Sequence, residues 1–153
     1  MVAQKHKNRH IKRRGIFFLC GFFVLFSLSG ILLSTARAQA ATICWTGGTS
    51  TAWATGSNWV GGVAPANDAT TDIACFNQTS YTNLPTIGNA SRSVAGIVIG
   101  DGSTATATLT IASGGGTRIL TVGASGVDMK ANAGAVTISA PVTLGAAQTW
   151  QNA

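Results

Sequence analysis

The chain has 153 residues, of which charged residues make up only 9%, against about a quarter in an average globular domain. Its net charge of +6 comes from Lys5, Lys7, Arg9, Lys12, Arg13, Arg14 and Arg37, all before residue 41, whereas from Ala41 onward Arg92, Arg118 and Lys130 stand against Asp68, Asp72, Asp101 and Asp128. A clustered basic surface on the folded part is thereby excluded, and duplex nucleic-acid binding with it.

Residues 1–15 are polar and basic, and Ile16 to Leu33 is an uncharged apolar run. Small residues follow in Ser34-Thr-Ala-Arg-Ala-Gln-Ala40, where A-x-A spacing occurs twice and allows cleavage after Ala38 or after Ala40. This is the three-part layout of a secretory signal peptide. Residues 1–40 are therefore expected to form a helical signal segment that meets the export machinery and is the only part to touch a membrane. The alternative is an uncleaved anchor, because the run would span ~27 Å as a helix at ~1.5 Å per residue. Ser27, Ser29 and Gly30 weaken its second half. Arg13 and Arg14 invite a twin-arginine reading, which their flanks fit poorly. Phe17, Phe18, Phe22, Phe23 and Phe26 belong to this leader and not to a core.

Cys20 lies in the apolar run, which leaves Cys44 and Cys75 for the mature part. Export places them where disulfides persist. Each directly precedes an aromatic, in Thr42-Ile-Cys-Trp45 and Asp72-Ile-Ala-Cys-Phe76, so two short β-like segments can bring them side by side in matching phase. Such a disulfide contributes roughly 3–4 kcal/mol in the chain-entropy model. The alternative is a pair of buried free thiols. Two isolated cysteines without His or C-x-x-C lack the spacing of a metal site.

The mature part divides by composition near residue 90. Residues 41–90 hold Trp45, Trp53, Trp59, Phe76, Tyr81 and both cysteines, and read as a loop-rich N-terminal cap with aromatic anchors. Residues 91–153 are built from Ala, Thr, Val, Ile, Leu and Gly, with Trp150 as the single aromatic. Here the pattern alternates with period two, in Thr104–Ile111 and again in Ala135–Leu144, as half-buried strands do. Gly-rich turns at 100–103, 114–117, 123–126 and 131–134 punctuate it, which is the rhythm of an all-β chain. No helical periodicity follows residue 40. Thr108-Leu-Thr-Ile111, Ile119-Leu-Thr-Val122, Ala135-Val-Thr-Ile138 and Pro141-Val-Thr-Leu144 share one theme. They predict stacked turns of a β-solenoid, with aliphatic residues inside and a threonine ladder outside. A small β-sandwich is the alternative. The solenoid also accounts for the low charge, since like charges in stacked register repel.

Trp45-Thr-Gly-Gly48, Trp53, Gly56-Ser-Asn-Trp59, Gly61-Gly62, Pro65 and Asp72-Ile-Ala-Cys-Phe76 resemble the start of large bacterial surface proteins with autotransporter-associated β-strand repeats. Ala140-Pro-Val-Thr-Leu-Gly145 and Ala147-Gln-Thr-Trp150 are similar to the stretch that follows in such chains. The resemblance implies a right-handed parallel β-helix, display at the cell surface, outer membrane or outside the cell, and structural or adhesive use. A surface glycan or a ligand on a host or neighbouring cell is the implied partner. Because such proteins are far longer, the chain reads as an N-terminal piece: 1–40 signal peptide, 41–90 cap, 91–153 the start of a β-helix passenger.

Several residues offer sharper chemistry and are weighed against plainer roles. Trp45, Trp53 and Trp59 offer a platform on which a sugar ring could stack, as in a small secreted carbohydrate-binding module; as packing anchors they would instead be buried. Asp68 and Asp72 with Asn67 suggest Ca²⁺, but no D-x-[DN]-x-[DN]-G loop surrounds them, and turn carboxylates are more often backbone caps. Asp101 and Asp128 read the same way. Gly123-Ala-Ser-Gly126 lacks the spacing and the His of a nucleophile elbow. Gly114-Gly-Gly116 lacks the Lys of a phosphate loop. Asn77-Gln-Thr79 and Asn89-Ala-Ser91 match the glycosylation acceptor, which matters only in a eukaryotic secretory host. With no Glu anywhere and both histidines, His6 and His10, in the leader, no catalytic residue, metal or cofactor is expected. A polysaccharide-active enzyme is the reading least supported.

Overall fold

Short runs of β-branched and aliphatic residues between glycine-rich turns form strands throughout the computed structural model, which describes residues 40–153. The expected leader, with Cys20 and the cleavage point after Ala38, lies outside the described residues, and Ala40 is the first of them. The strands are β1 (Ala41–Cys44), β2 (Asp72–Phe76), β3 (Arg92–Ile99), β4 (Leu109–Ile111), β5 (Leu120–Met129), β6 (Val136–Ile138), β7 (Val142–Leu144) and β8 (Trp150–Asn152). The helical content among the described residues is one short 3₁₀ turn at Gly56–Asn58.

Every pairing between these strands is parallel. Parallel neighbours need a crossover connection, and here each crossover is one coil of a β-solenoid of about four turns. One sheet runs β1-β2-β3-β5-β7, with β8 also on β5, and a second sheet pairs β4 with β6. The alternating apolar residues face inward, where Phe76, Val94, Leu109, Ile111, Leu120 and Val122 are fully buried. Burying each such side chain is worth about 1.5–3 kcal/mol.

The ladder resolves into three columns. In the first, Val94 stands on Val122 and Val122 on Leu144. In the second, Ile43, Ala74, Ile97, Val127 and Trp150 follow one another. The third consists of single bridges from Ala52 to Thr86 and from Thr86 to Ala112, then β4 on β6. The long strands β3 and β5 cross two columns, and between Val94 and Gly96 their register shifts. There Ala95 stands against Gly123, Ala124 and Ser125, so Gly123-Ala-Ser-Gly126 is a bulge. One coil later the two columns are served by separate strands, β7 and β8.

Two glycines make this bulge possible. A side chain on Gly123 would run into the carbonyl oxygen of Ala69, whose loop lies against the strand there. Gly126 has φ 66° and its missing Cβ leaves room for the carbonyl oxygen of Thr149, a conformation that costs glycine nothing and other residues strain.

The four related tetrapeptides fall into two columns. Thr110 stands opposite Thr137, and Thr121 opposite Thr143, each flanked by inward aliphatic residues. The compositional change near residue 90 does not interrupt the ladder, because β2 and β3 pair across it from Ile73–Gly96 to Phe76–Ile99. Residues 41–90 therefore contribute strands of the same sheet. None of the described helices is long and apolar enough to cross a membrane.

Candidate functional site

The N-terminal end of the ladder is built differently from the rest. Trp45 and Trp59 form an antiparallel bridge, with Val60 N–H donating to Cys44 O (2.8 Å) and Thr46 N–H to Asn58 O (2.7 Å). The chain thus folds back over the edge of the first coil. Cys44 and Cys75, opposite one another in the β1–β2 register, are disulfide-bonded with Cα atoms 4.2 Å apart. The bond ties the first coil to the second across 31 residues.

Behind this edge lies an aromatic cluster. Trp59 meets Trp45 edge to face at 5.0 Å between ring centroids and Trp53 at 4.9 Å. Phe76 completes the group at 5.8 Å from Trp53 and 6.0 Å from Trp59. Two of the three indole tips are satisfied within the protein: Trp59 Nε1 donates to Trp53 O (2.7 Å) and Trp45 Nε1 to Asn83 O (2.9 Å). The three tryptophans are at most 2% exposed. Their ring faces are covered by one another and by the core, so the expectation of a sugar-stacking platform on Trp45, Trp53 and Trp59 is corrected: they are packing anchors.

Asn58, in the same cluster, has a role that the sequence did not disclose. It is fully buried. Its Oδ1 accepts from the N–H groups of Thr49 (3.0 Å) and Ser50 (2.8 Å), and its Nδ2 donates to Ser50 Oγ (3.0 Å) and Ala52 O (2.9 Å). An asparagine between glycine and tryptophan reads as a turn residue; only the approach of residues 49–52 makes it a core hub.

The acidic residues act locally. Asp68 accepts from the N–H and hydroxyl groups of Thr70 and Thr71 at 2.7–2.8 Å. These hydrogen bonds, led by the Thr71 hydroxyl, hold its carboxyl down at about 2. Asp101 accepts from Ser103 and from Thr104 N–H, which lower its pKa in the same way. Asp72 accepts from Ala66 N–H at 2.7 Å. Asp128 pairs with Lys130 at 2.6 Å. Among the described residues no three His, Cys, Asp or Glu side chains gather where a metal ion would sit.

Among the described residues, three of the surface hollows stand out. A polar one of about 430 Å³ is bordered by Ser125, Asp128, Gln148, Thr149 and Gln151. An apolar one of about 310 Å³ lies at the last coil, among Val127, Met129, Val136, Ile138, Val142 and Trp150. The third, about 390 Å³, includes Arg92 in its wall. Trp150 is the exposed tryptophan, at 53%, with Nε1 donating to Gln148 Oε1 (3.0 Å). Alternation alone does not predict that exposure, because the ring occupies an inward position of a rung that pairs on one side. Comparisons of the chain with protein-family models, with curated proteins and with solved structures find no match.

Proposed function

We propose that the chain is an exported, non-catalytic β-solenoid segment of a bacterial surface protein of the autotransporter-like kind, with a structural or adhesive role. Its coils wind in the right-handed sense that parallel crossovers overwhelmingly take. Residues 41–90 hold the N-terminal cap together with the first strands of the ladder, and later coils display rows of threonine. The observation that carries this reading is the stack of parallel coils whose first member is cross-linked by Cys44–Cys75. A disulfide suits an oxidising compartment, and the basic, apolar and small-residue succession of residues 1–40 suits export. With neither His nor Glu from Ala41 onward, the surface is suited to weak, repeated contacts more than to proton transfer.

A small secreted carbohydrate-binding module is the weaker alternative, because its three intended tryptophans are enclosed in the core. Expression in a bacterial host, followed by the intact mass of the secreted material, tests the preferred reading. The expected product begins at Gln39 or Ala41 and is two hydrogens lighter than its reduced form. An unprocessed, fully reduced polypeptide confined to the cytosol contradicts it.

A further inference from the structure

The loop that leads into β2 reaches beyond its own rung of the ladder. Both of its ends are fixed: Pro65 is buried, and Asp72 Oδ2 accepts from Ala66 N–H at 2.7 Å. Between them Asn67 Oδ1 accepts from Ser93 N–H of β3 at 2.7 Å. Two residues on, the Ala69 carbonyl oxygen fills the space that a side chain on Gly123 would need. Ala69 Cβ lies 3.4 Å from where a Cβ on Gly145 would stand. Gly123 belongs to β5, and Gly145 follows β7, where its N–H donates to Val122 O at 2.7 Å. The ladder partners of β2 are β1 and β3. The contacts at Gly123 and Gly145 therefore skip one rung and two. Asp68, between Asn67 and Ala69, sets the course of the loop by accepting from the N–H and hydroxyl groups of Thr70 and Thr71 at 2.7–2.8 Å.

In a solenoid each repeat touches its neighbours alone, and parts of a fold that share few contacts open separately. We propose that residues 66–69 form an axial strap, which joins the β2 rung directly to the β5 rung and to the segment after β7, so that these rungs open together. The strap passes over the β3 rung and buries Gly123 beneath it. It carries no apolar side chain larger than alanine, so it holds by close backbone approach and hydrogen bonds, which depend on its shape. That shape is fixed by Asp68, as a turn carboxylate fixes the backbone that follows it. This inference goes beyond the proposed function and rests on the fold alone, independent of export or adhesion.

The test is hydrogen exchange of the disulfide-intact full chain, read by mass spectrometry for the parent, Asp68→Ala and Asp68→Asn. The hydrogen bonds of Asp68 stay within its own loop. Transmission from rung to rung would give an effect that fades from β3 to β5. The strap predicts that in Asp68→Ala the β5 amides at 120–123 exchange roughly threefold to tenfold faster, at least as much as those at 92–94 of β3. The strands β4 and β6, on the second sheet, should exchange as in the parent. Asp68→Asn keeps an oxygen for the Thr70 and Thr71 N–H groups and should stay close to the parent throughout. No acceleration at β5, an acceleration that fades from β3 to β5, an equal acceleration of β4 and β6, or one equally large in Asp68→Asn overturns the strap.

Discussion

Asn58 concentrates into one side chain what holds the first coil closed, because both its acceptor and its donors are committed to residues 50–52 and to Thr49. Asn58→Ala removes the hub and leaves the Thr49 and Ser50 N–H groups and the Ala52 carbonyl without it. The expected cost is about 2–4 kcal/mol, measured as a fall in the urea midpoint at unchanged slope. An unchanged midpoint contradicts the role. Asp68 gives the pH dependence. Its carboxyl is held at about 2 against an ordinary 3.8 by the threonine hydroxyls and N–H groups. A lowered folded pKa means stabilisation that is complete above the ordinary value and is lost as pH falls through the folded one. Carboxyl chemical shifts should therefore show Asp68 titrating near 2, and Thr71→Val, which removes the leading hydroxyl, should move that midpoint upward. A midpoint already at 3.8 in the parent chain rejects this geometry. The tryptophans mark the limit of legibility at this scale, where packing anchors were the preferred reading and a sugar platform the alternative. Residue type announced large aromatic groups near the start of the fold, but whether a ring faces core or water depends on a chain reversal at 58–60 that no local pattern encodes.

At the scale of the element, the disulfide and the threonine rows carry the argument. Cys44 and Cys75 were legible as partners because each precedes an aromatic in a short β-like run, and the β1–β2 register sets them opposite one another. Closing a loop of that length contributes about 3–4 kcal/mol in the chain-entropy model. Cys44→Ala with Cys75→Ala is expected to lower unfolding free energy by about that amount, with β-sheet circular dichroism retained. Loss below about 1 kcal/mol would show that the first coil is held by packing alone. The four aliphatic–threonine–aliphatic repeats were legible as stacked strands, because period-two alternation and a shared phase are local properties. Their distribution into two columns was not, since it depends on the turn lengths between them. The bulge at Gly123–Gly126 was likewise read as a turn. Its character comes from a distant loop, at Ala69, pressing on the strand.

For the whole molecule, the two ends of the ladder differ. The first coil is folded over by the Trp45–Trp59 bridge and cross-linked. In the last coil β7 and β8 each pair with β5 on one side, and Leu144 and Trp150 are exposed there at 61% and 53%. Stability in such a fold adds up coil by coil through neighbour contacts, so the coils joined by the disulfide should exchange their amide hydrogens faster once Cys44–Cys75 is reduced. Composition anticipated this architecture because a stack of small uncharged residues suits in-register repetition. It also suggested a boundary near residue 90 that the continuous β2–β3 ladder crosses. The central claim, parallel coils in the stated register, is tested most directly by paired cysteines on the outer face. Thr121→Cys with Thr143→Cys, in a chain lacking Cys20, should cross-link under mild oxidation and lose two hydrogens by peptide mass, while Thr110→Cys with Thr143→Cys, on different columns, should stay reduced. Cross-linking of the second pair in preference to the first would contradict the fold described here.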